Sequence, residues 1–145
     1  DTDRSRGLGD VYKRQMQREA AERFTARPGD RVYGPLTVLA GYYYEVTKLM
    51  ELSRDMYYPQ PDVDSVVLKL TAKGEEKLFE LEWLLNRAFA MRRKTLSNNL
   101  RAAGISDERL KTLLGACGIE GNIRAEKLTV AQFANIAREI EAHGK

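Results

Sequence analysis

The spacing of apolar residues changes near Lys73, and this change constrains the fold more than any other feature of the chain. In residues 63–70, apolar and more polar side chains alternate, which is the period of a strand with one buried face. Beyond Lys73 the apolar side chains recur at helical spacing to the end of the chain. The sequence therefore predicts a mixed α/β piece, residues 16–73, followed by an all-helical piece, residues 74–145.

The mixed piece is predicted to contain two helices and two strands. One amphipathic helix begins at Met16 and another spans residues 36–44, although the β-branched and tyrosine side chains of this second segment would also suit a strand. The strands are predicted at 46–52 and 63–70. Because an isolated strand pair is at best marginally stable in water, this piece has the pattern expected for the end of a larger α/β domain.

The all-helical piece is predicted to contain three helices. The first carries an apolar stripe from Leu78 to Phe89 that runs directly into a block of cations and stops at Gly104. Ser106 is placed to cap the second helix. The third helix has the clearest start signal in the chain, a capping box formed by Thr129 and Gln132.

The block of cations lies within residues 83–106, a window that contains no carboxylate. A surface helix normally mixes both signs, so a block of one sign repels itself unless an anionic partner, usually phosphate, supplies the counter-charge. On a helix, Arg92, Arg93 and Lys94 would fan over roughly 200°, so at least one of them should point toward the protein. A solvated basic turn without a ligand is the alternative.

Composition limits the classes of function. Of the 145 residues, 43% are apolar and 31% are charged, which is the balance of a soluble globular domain. No apolar run approaches the ~20 residues that a membrane span needs. The net charge of +3 permits a nucleic-acid partner without requiring one. One cysteine, Cys117, and one histidine, His143, can form neither an internal disulfide nor a zinc site of the usual kind, which fits a reducing cytoplasm.

The first fifteen residues differ from the rest of the chain. They combine charges of both signs with Gly7 and Gly9, show no apolar period and lack an initiator Met. They are also too polar for a signal peptide. We interpret residues 1–15 as a non-native leader of the kind that translated adaptor sequence produces.

Two prolines, Pro59 and Pro61, stiffen the connection between the two predicted strands. The same connection carries Tyr57 and Tyr58, whose rings we therefore expect to be held in a set direction. A fixed aromatic ring beside a strand end is suited to stacking on a flat ligand. The alternative is that both tyrosines cover the edge of the sheet.

Two motifs resemble those of a known enzyme family. Residues 57–65, Y-Y-P-Q-P-D-V-D-S, resemble the F-x-P-x-P-x-V-D-S signature of the ribosomal RNA adenine dimethyltransferases. Residues 89–100, F-A-M-R-R-K-T-L-S-N-N-L, are similar to the F-x-x-R-R-K-T-L-x-N-N-L signature of their small-subunit, KsgA-type branch. Three shorter stretches, 16–23, 33–38 and 124–129, match the family in the same order. The resemblance covers the chain from Met16 to its C-terminus.

The resemblance implies a Rossmann-like methyltransferase domain followed by a small helical domain that binds rRNA. Residues 16–73 would be the C-terminal end of the first domain, with its helices and an antiparallel strand pair, and residues 74–145 would be the second. The family transfers methyl groups from S-adenosylmethionine to two adjacent adenines near the 3′ end of small-subunit rRNA during ribosome assembly. We accordingly expect a cytoplasmic monomer whose partner is this rRNA within the pre-30S particle, with no metal and no membrane.

The family resemblance also assigns roles to individual residues. Tyr57 would stack on the target adenine, although the family usually has Phe there, and Asp62 stands where the family often has Lys. The expected RNA contacts are Arg92, Arg93, Lys94, Arg101, Asn98 and Asn99, with the alternative that the two asparagines cap local backbone. The family's G-x-G-x-G cofactor loop and N-[LI]-P-[YF] motif have no match, so we expect no cofactor-binding residue in this chain and no activity from it alone.

Two other functions remain open at this point. The chain could be a non-catalytic basic module that binds RNA or assists ribosome assembly. It could also belong to a methyltransferase of the antibiotic-resistance type, which modifies large-subunit rRNA. The R-R-K-T-L-x-N-N-L match argues for the small-subunit branch.

Overall fold

The computed structural model describes residues 10–145, so the interpretation of residues 1–9 lies outside the described part of the chain. Along the described part the elements follow in the order β1 Val11–Gln17, α1 Arg18–Thr25, α2 Pro35–Tyr43, β2 Tyr44–Leu52, β3 Ser65–Ala72, α3 Leu81–Ala88, α4 Leu96–Ala102, α5 Asp107–Ala116 and α6 Val130–His143. Short 3₁₀ turns lie at Arg54–Met56 and Ala125–Lys127. None of these helices has the length and apolar character needed to cross a membrane.

The strands form one antiparallel sheet in the order β1-β3-β2. The central strand is β3, whose alternating pattern gives it an apolar face: Val66 and Leu68 are buried in a small cluster with Ala21 of α1. The pairing of β2 with β3 confirms the predicted strand pair, and the observed ends differ from the predicted ones by at most two residues.

Strand β1 was not predicted from the sequence. Residues 11–15 belong to the segment interpreted as a leader, and Met16 was expected to begin a helix, whereas the structure pairs the whole strand with β3 and begins α1 at Arg18. The apolar signal of β1 is weak because only Tyr12 and Met16 are half-buried, while its backbone groups pair with β3 whatever the side chains are. This pairing shows the conformation of residues 11–15 but not their origin. Their interpretation as a non-native leader stays a prediction.

Helix α2 confirms the helical alternative for residues 36–44, except that Tyr44 already belongs to β2. Pro35 occupies the first helical position, where a missing N–H costs nothing. The Thr37 hydroxyl accepts a hydrogen bond from the N–H of Gly34 and donates one to the carbonyl of Arg23 at the end of α1. The buried Thr37 therefore fixes the start of α2 and ties it to α1.

One main hydrophobic core runs through α2 and all four C-terminal helices. Tyr33, just before α2, is fully buried in it and donates its hydroxyl proton to the carbonyl of Leu128, 2.6 Å away. Burial raises the pKa of Tyr33 to about 12. This core includes residues of α2, so it extends across the boundary predicted at residue 73. The division of the chain into two domains at that residue stays a prediction.

The caps predicted for the last two helices are confirmed. The Ser106 hydroxyl accepts a hydrogen bond from the N–H of Arg109 at the start of α5. In the capping box of α6, Thr129 Oγ1 accepts from the N–H of Gln132 and Gln132 Oε1 accepts from the N–H of Thr129, at 3.1 and 2.9 Å.

The single helix predicted from Leu78 to Gly104 is wrong. Helix α3 ends at Ala88, and α4 begins at Leu96. The residues between them, 89–95, form a connection that we call the basic loop because it carries all three consecutive cations. Loop contacts, rather than helical spacing, therefore decide where each cation points.

Candidate nucleic-acid interface

Asn99 of α4 fixes the shape of the basic loop. Its side chain is only 4% exposed. The Nδ2 group donates to the carbonyls of Ala88 and Met91, each 3.0 Å away, and Oδ1 accepts from the N–H of Met91 at 3.1 Å. The carbonyl of Ala88 would otherwise be left over where α3 ends, whereas the carbonyl of Met91 also accepts from the N–H of Lys94 at 2.9 Å. Asn99 thus has the local capping role, and we remove it from the predicted RNA contacts because its amide is fully engaged inside the protein.

Arg92 turns inward from the basic loop. Its Nη2 donates to the carbonyls of Tyr33 and Arg31, at 2.6 and 3.3 Å, and lies 3.8 Å from the carboxylate of Glu126. The guanidinium also lies over the ring of Phe89, 5.2 Å from its centroid. The prediction that one cation of the block points toward the protein is confirmed by Arg92. Its side chain joins the loop before α2 to the basic loop and is 41% exposed, so its role as an RNA contact stays a prediction.

Arg93 and Lys94 differ from Arg92 in their contacts. Both are exposed, and neither forms an ion pair with any residue from 10 to 145. Two neighbouring positive charges without counter-ions repel each other, so an anion placed near them would gain attraction and relieve that repulsion. Within the predicted set, these two cations are the best placed to contact phosphate.

Three further exposed cations lie on segments that tertiary contacts bring to the basic loop. Arg31 is next to Arg92 because its carbonyl accepts from that guanidinium. The turn containing Arg124 and Lys127 reaches the same place, since Glu126 pairs with Arg92 and its carbonyl accepts from the N–H of Gly29. We call the set formed by Arg31, Arg93, Lys94, Arg124 and Lys127 the basic surface.

The contributions of Arg31, Arg124 and Lys127 to this surface were not predicted from the sequence. They are far from the basic loop in the chain, and each lies in a stretch of mixed charge. The sequence signals near them were the family resemblances at residues 33–38 and 124–129. Their common position is a product of tertiary contacts, which no local pattern reports.

Arg101 and Asn98 are exposed on α4 and bind each other. Arg101 Nη1 donates to Asn98 Oδ1 at 2.7 Å, and its Nε donates to a carboxylate oxygen of Asp107. Both partners of the ion pair are largely in solvent, where such a pair is worth ~0–1 kcal/mol. A phosphate could therefore replace Asp107 at little cost, and both residues stay in the set of expected RNA contacts.

The connection between β2 and β3, residues 53–64, is tied down at its base; we call it the aromatic loop. The Asp64 carboxylate accepts from the N–H and Nε of Arg54, at 2.9 and 3.1 Å, and from Nη2 of Arg18 at 3.1 Å. Arg54 Nη1 also donates to the carbonyl of Asp62 at 2.6 Å. The hydrogen bonds from Arg54 hold the pKa of Asp64 below its usual value, so the carboxylate stays charged at neutral pH.

The two tyrosines of the aromatic loop differ in exposure. Tyr57 is 39% exposed, and its hydroxyl accepts a hydrogen bond from Nε2 of Gln15 in β1, 3.0 Å away. Tyr58 is 99% exposed. Tyr57 lies at the end of the sheet, as expected, with part of its ring open to solvent. No hydrogen bond or ion pair within residues 10–145 links this loop to the basic surface.

The described residues do not provide a glycine-rich cofactor loop. The strand that leads directly into a helix is β1, and its junction with α1 is Gln17-Arg18, where side chains stand in place of the glycines that let a backbone approach a nucleotide. Residues 10–145 also contain no cluster of His, Cys, Asp and Glu suited to a metal. Cys117 is a free, half-buried thiol whose pKa is raised by burial.

Residues 14–142 match the family model described as "Ribosomal RNA adenine dimethylase". The chain belongs to this family. Among curated proteins, it is 37% identical over 131 residues to "Ribosomal RNA small subunit methyltransferase A" of Lactobacillus helveticus, covering 88% of this chain and 45% of that protein. It is 40% identical over 131 residues to the protein of the same name from Natranaerobius thermophilus, covering 86% of this chain and 43% of the relative.

Solved structures show the same fold. A dimethyladenosine transferase from Plasmodium falciparum superposes with a TM-score of 0.75 at 24% identity, covering 92% of this chain and 58% of the other. The 23S rRNA methyltransferase ErmE gives a TM-score of 0.60 at 21% identity, covering 90% and 55%. This dimethylase-family chain therefore has part of a methyltransferase fold, and it spans less than half the length of the two curated relatives.

Proposed function

We propose that this chain is the C-terminal part of an rRNA adenine N6,N6-dimethyltransferase that methylates two adjacent adenines of small-subunit rRNA during ribosome assembly. The observation that carries the proposal is the family match over residues 14–142. The names of the two curated relatives support the small-subunit target over the large-subunit alternative. The partner would be the pre-30S particle in the cytoplasm, and the protein would act as a monomer.

The basic surface is proposed to bind the rRNA backbone. Its exposed cations come from three segments of the chain, and Arg93 and Lys94 lack a counter-ion among the described residues. Phosphate contacts of this kind supply affinity and orientation without reading sequence. Arg101 and Asn98 would extend the surface along α4.

Tyr57 is proposed to stack on the target adenine. An enzyme that modifies the exocyclic amine of a base must take that base out of its stack, and a fixed aromatic ring replaces the lost stacking. The half-exposed ring at the end of the sheet suits this role, and its hydroxyl already has a hydrogen-bonding partner. Stacking of this type contributes ~1–3 kcal/mol per base.

The methyl donor would be S-adenosylmethionine, bound by a part of the protein outside this chain. Because residues 10–145 hold no cofactor loop, we propose that the chain alone transfers no methyl group and binds RNA as a non-catalytic module. An assay with radioactive S-adenosylmethionine and small-subunit rRNA checks this. Incorporation of label by the purified chain would contradict it.

The RNA-binding part is tested by a filter-binding titration across salt concentrations. The double change Arg93→Ala with Lys94→Ala should weaken binding. It should also make the slope of log K against log salt less steep, by the amount expected for the loss of roughly two phosphate contacts. Lys77→Ala with Lys111→Ala is the matched control, since these lysines are also exposed and without an ion pair among the described residues, but lie outside the basic surface. Equal slopes for the two double variants would refute the role of the basic loop.

A further inference from the structure

The ring of Tyr58 is almost entirely in solvent on a loop that is otherwise firmly held. Single exposed apolar side chains are common on protein surfaces, so exposure alone has no functional meaning. Tyr58 differs from such residues because the loop that carries it is held by hydrogen bonds. Asp64 and Arg54 close the base of the aromatic loop with hydrogen bonds of 2.6 to 3.1 Å, and Pro59 follows Tyr58 directly. The ring is thus presented by an ordered backbone.

The rings of Tyr57 and Tyr58 lie in different environments. Tyr57 has φ −118° and ψ 152°, but residues 57–59 form a bend and not a strand. The surroundings of the two rings therefore show how they are related. Tyr57 faces the sheet, where Gln15 donates to its hydroxyl, and Tyr58 points away from it. Two rings in such different environments are suited to take two different bases, one against the sheet and one in solvent.

Charge excludes a phosphate-binding role for this loop. Arg54 is already committed to Asp64 and to the carbonyl of Asp62. The neighbouring carboxylates of Asp55 and Asp62 would repel a phosphate placed beside the loop. A nucleotide approaching Tyr58 would therefore contact it through the face of its base, with its phosphates turned away.

We propose that Tyr58 stacks on the nucleotide next to the target adenine and holds it apart from the base taken by Tyr57. This inference rests on the proposed function, because it needs a single-stranded RNA substrate. Consecutive Cα atoms are ~3.8 Å apart, so the two rings can serve neighbouring nucleotides of one strand once those bases are unstacked. A substrate with two adjacent adenines presents such a pair.

The test uses the chain with a short single-stranded RNA that contains two adjacent adenines, one of them replaced by the fluorescent base 2-aminopurine. The variants are Tyr58→Leu, which keeps an apolar side chain without a flat ring, and Tyr58→Phe, which keeps the ring. Tyr58 makes no hydrogen bond to another residue within 10–145, so neither change should disturb folding. Urea unfolding curves that coincide with wild type verify this.

The expected result has two parts. Tyr58→Leu should weaken binding by about 5- to 150-fold, the range of one lost stacking contact, and should relieve the quenching of 2-aminopurine at one of the two positions. Tyr58→Phe should bind like wild type. The slope of log K against log salt should be the same for all three proteins, because no phosphate contact is removed.

Three outcomes would overturn the inference, and they are distinguishable. If wild type binds with a clear salt dependence and Tyr58→Leu binds equally well, the role of Tyr58 is wrong and the proposed function stands. If Tyr58→Leu lowers the salt slope, the residue acts through backbone contacts and not by stacking. If the folded wild-type chain does not bind the RNA, the RNA-binding function fails and this inference fails with it.

Discussion

Replacing Asn99 with Ala should destabilise the chain by about 2 to 3 kcal/mol, because it removes three hydrogen bonds that are each worth ~1 kcal/mol. The carbonyl of Ala88 and the N–H of Met91 lose the Asn99 amide as their partner, whereas the carbonyl of Met91 keeps the hydrogen bond from the N–H of Lys94, 2.9 Å away. Ala88 is fully buried, so water cannot easily replace the amide there. The lost hydrogen bonds are those that hold the basic loop and the end of α3.

The measurement is urea unfolding followed by the fluorescence of Trp83, the single tryptophan of the chain, which packs against the main core. Asn98→Ala is the matched control, because Asn98 is the adjacent residue, is exposed and binds only the side chain of Arg101. We expect this control to change stability by no more than ~0.5 kcal/mol.

A second variant sharpens the comparison. Asn99→Asp keeps the acceptor for the N–H of Met91 but turns a negative charge toward two carbonyl oxygens, so it should be at least as destabilising as Asn99→Ala at neutral pH. If Asn99→Ala and Asn98→Ala unfold at the same urea concentration, the buried amide does not hold the loop and the reasoning is refuted.

Three shorter predictions follow from other contacts. Arg92→Lys should cost about 1–2 kcal/mol of stability, since an ammonium cannot reach two carbonyls and stack on Phe89, while the RNA salt slope stays unchanged; urea unfolding and filter binding check the two parts. Thr129→Ala should cost ~1 kcal/mol through the lost cap of α6, measured by thermal unfolding. The pKa of Tyr33 is raised from 10.0 to about 12 in the folded chain, so its contribution to folding stability is complete below pH 10.0 and is lost as the pH rises toward about 12. Tyr33→Phe should reduce this loss of stability at alkaline pH, as measured by unfolding curves at several pH values.

Structural features that depend on neighbouring residues in the chain were predicted well. The alternation in residues 63–70 located the central strand, and the Thr129–Gln132 capping box marked the start of α6. Each depends on residues within a few positions of one another, where spacing alone determines which groups can meet. The family resemblance at residues 57–65 and 89–100 rested on equally local motifs, and the family match confirms it.

Features that depend on distant contacts were not predictable from those patterns. The break between α3 and α4 depends on Asn99 reaching back to Ala88, and neither residue alone signals a helix end. The inward turn of Arg92 depends on carbonyls about sixty residues earlier in the chain. Strand β1 has few apolar residues and is held by backbone pairing with β3, which leaves little trace in its side chains.

The basic block shows most clearly what the structure adds. In sequence, Arg92, Arg93 and Lys94 are equivalent neighbours. In the structure all three are exposed, but only Arg92 is hydrogen-bonded to two backbone carbonyls and close to a carboxylate. The RNA contacts are therefore expected from a surface assembled from three segments, of which the consecutive cations supply only two side chains. Changing all three together would mix a loss of stability with a loss of RNA binding.

The proposed membership of a complete dimethyltransferase is tested by sequencing the source DNA upstream of the codon for Met16 and translating it in frame. We expect a strand followed by a G-x-G-x-G loop, and later an N-[LI]-P-[YF] motif ahead of Met16, which together complete a dimethyltransferase. A start codon with a ribosome-binding site just upstream of Met16 would contradict this expectation and leave an RNA-binding module without catalytic activity.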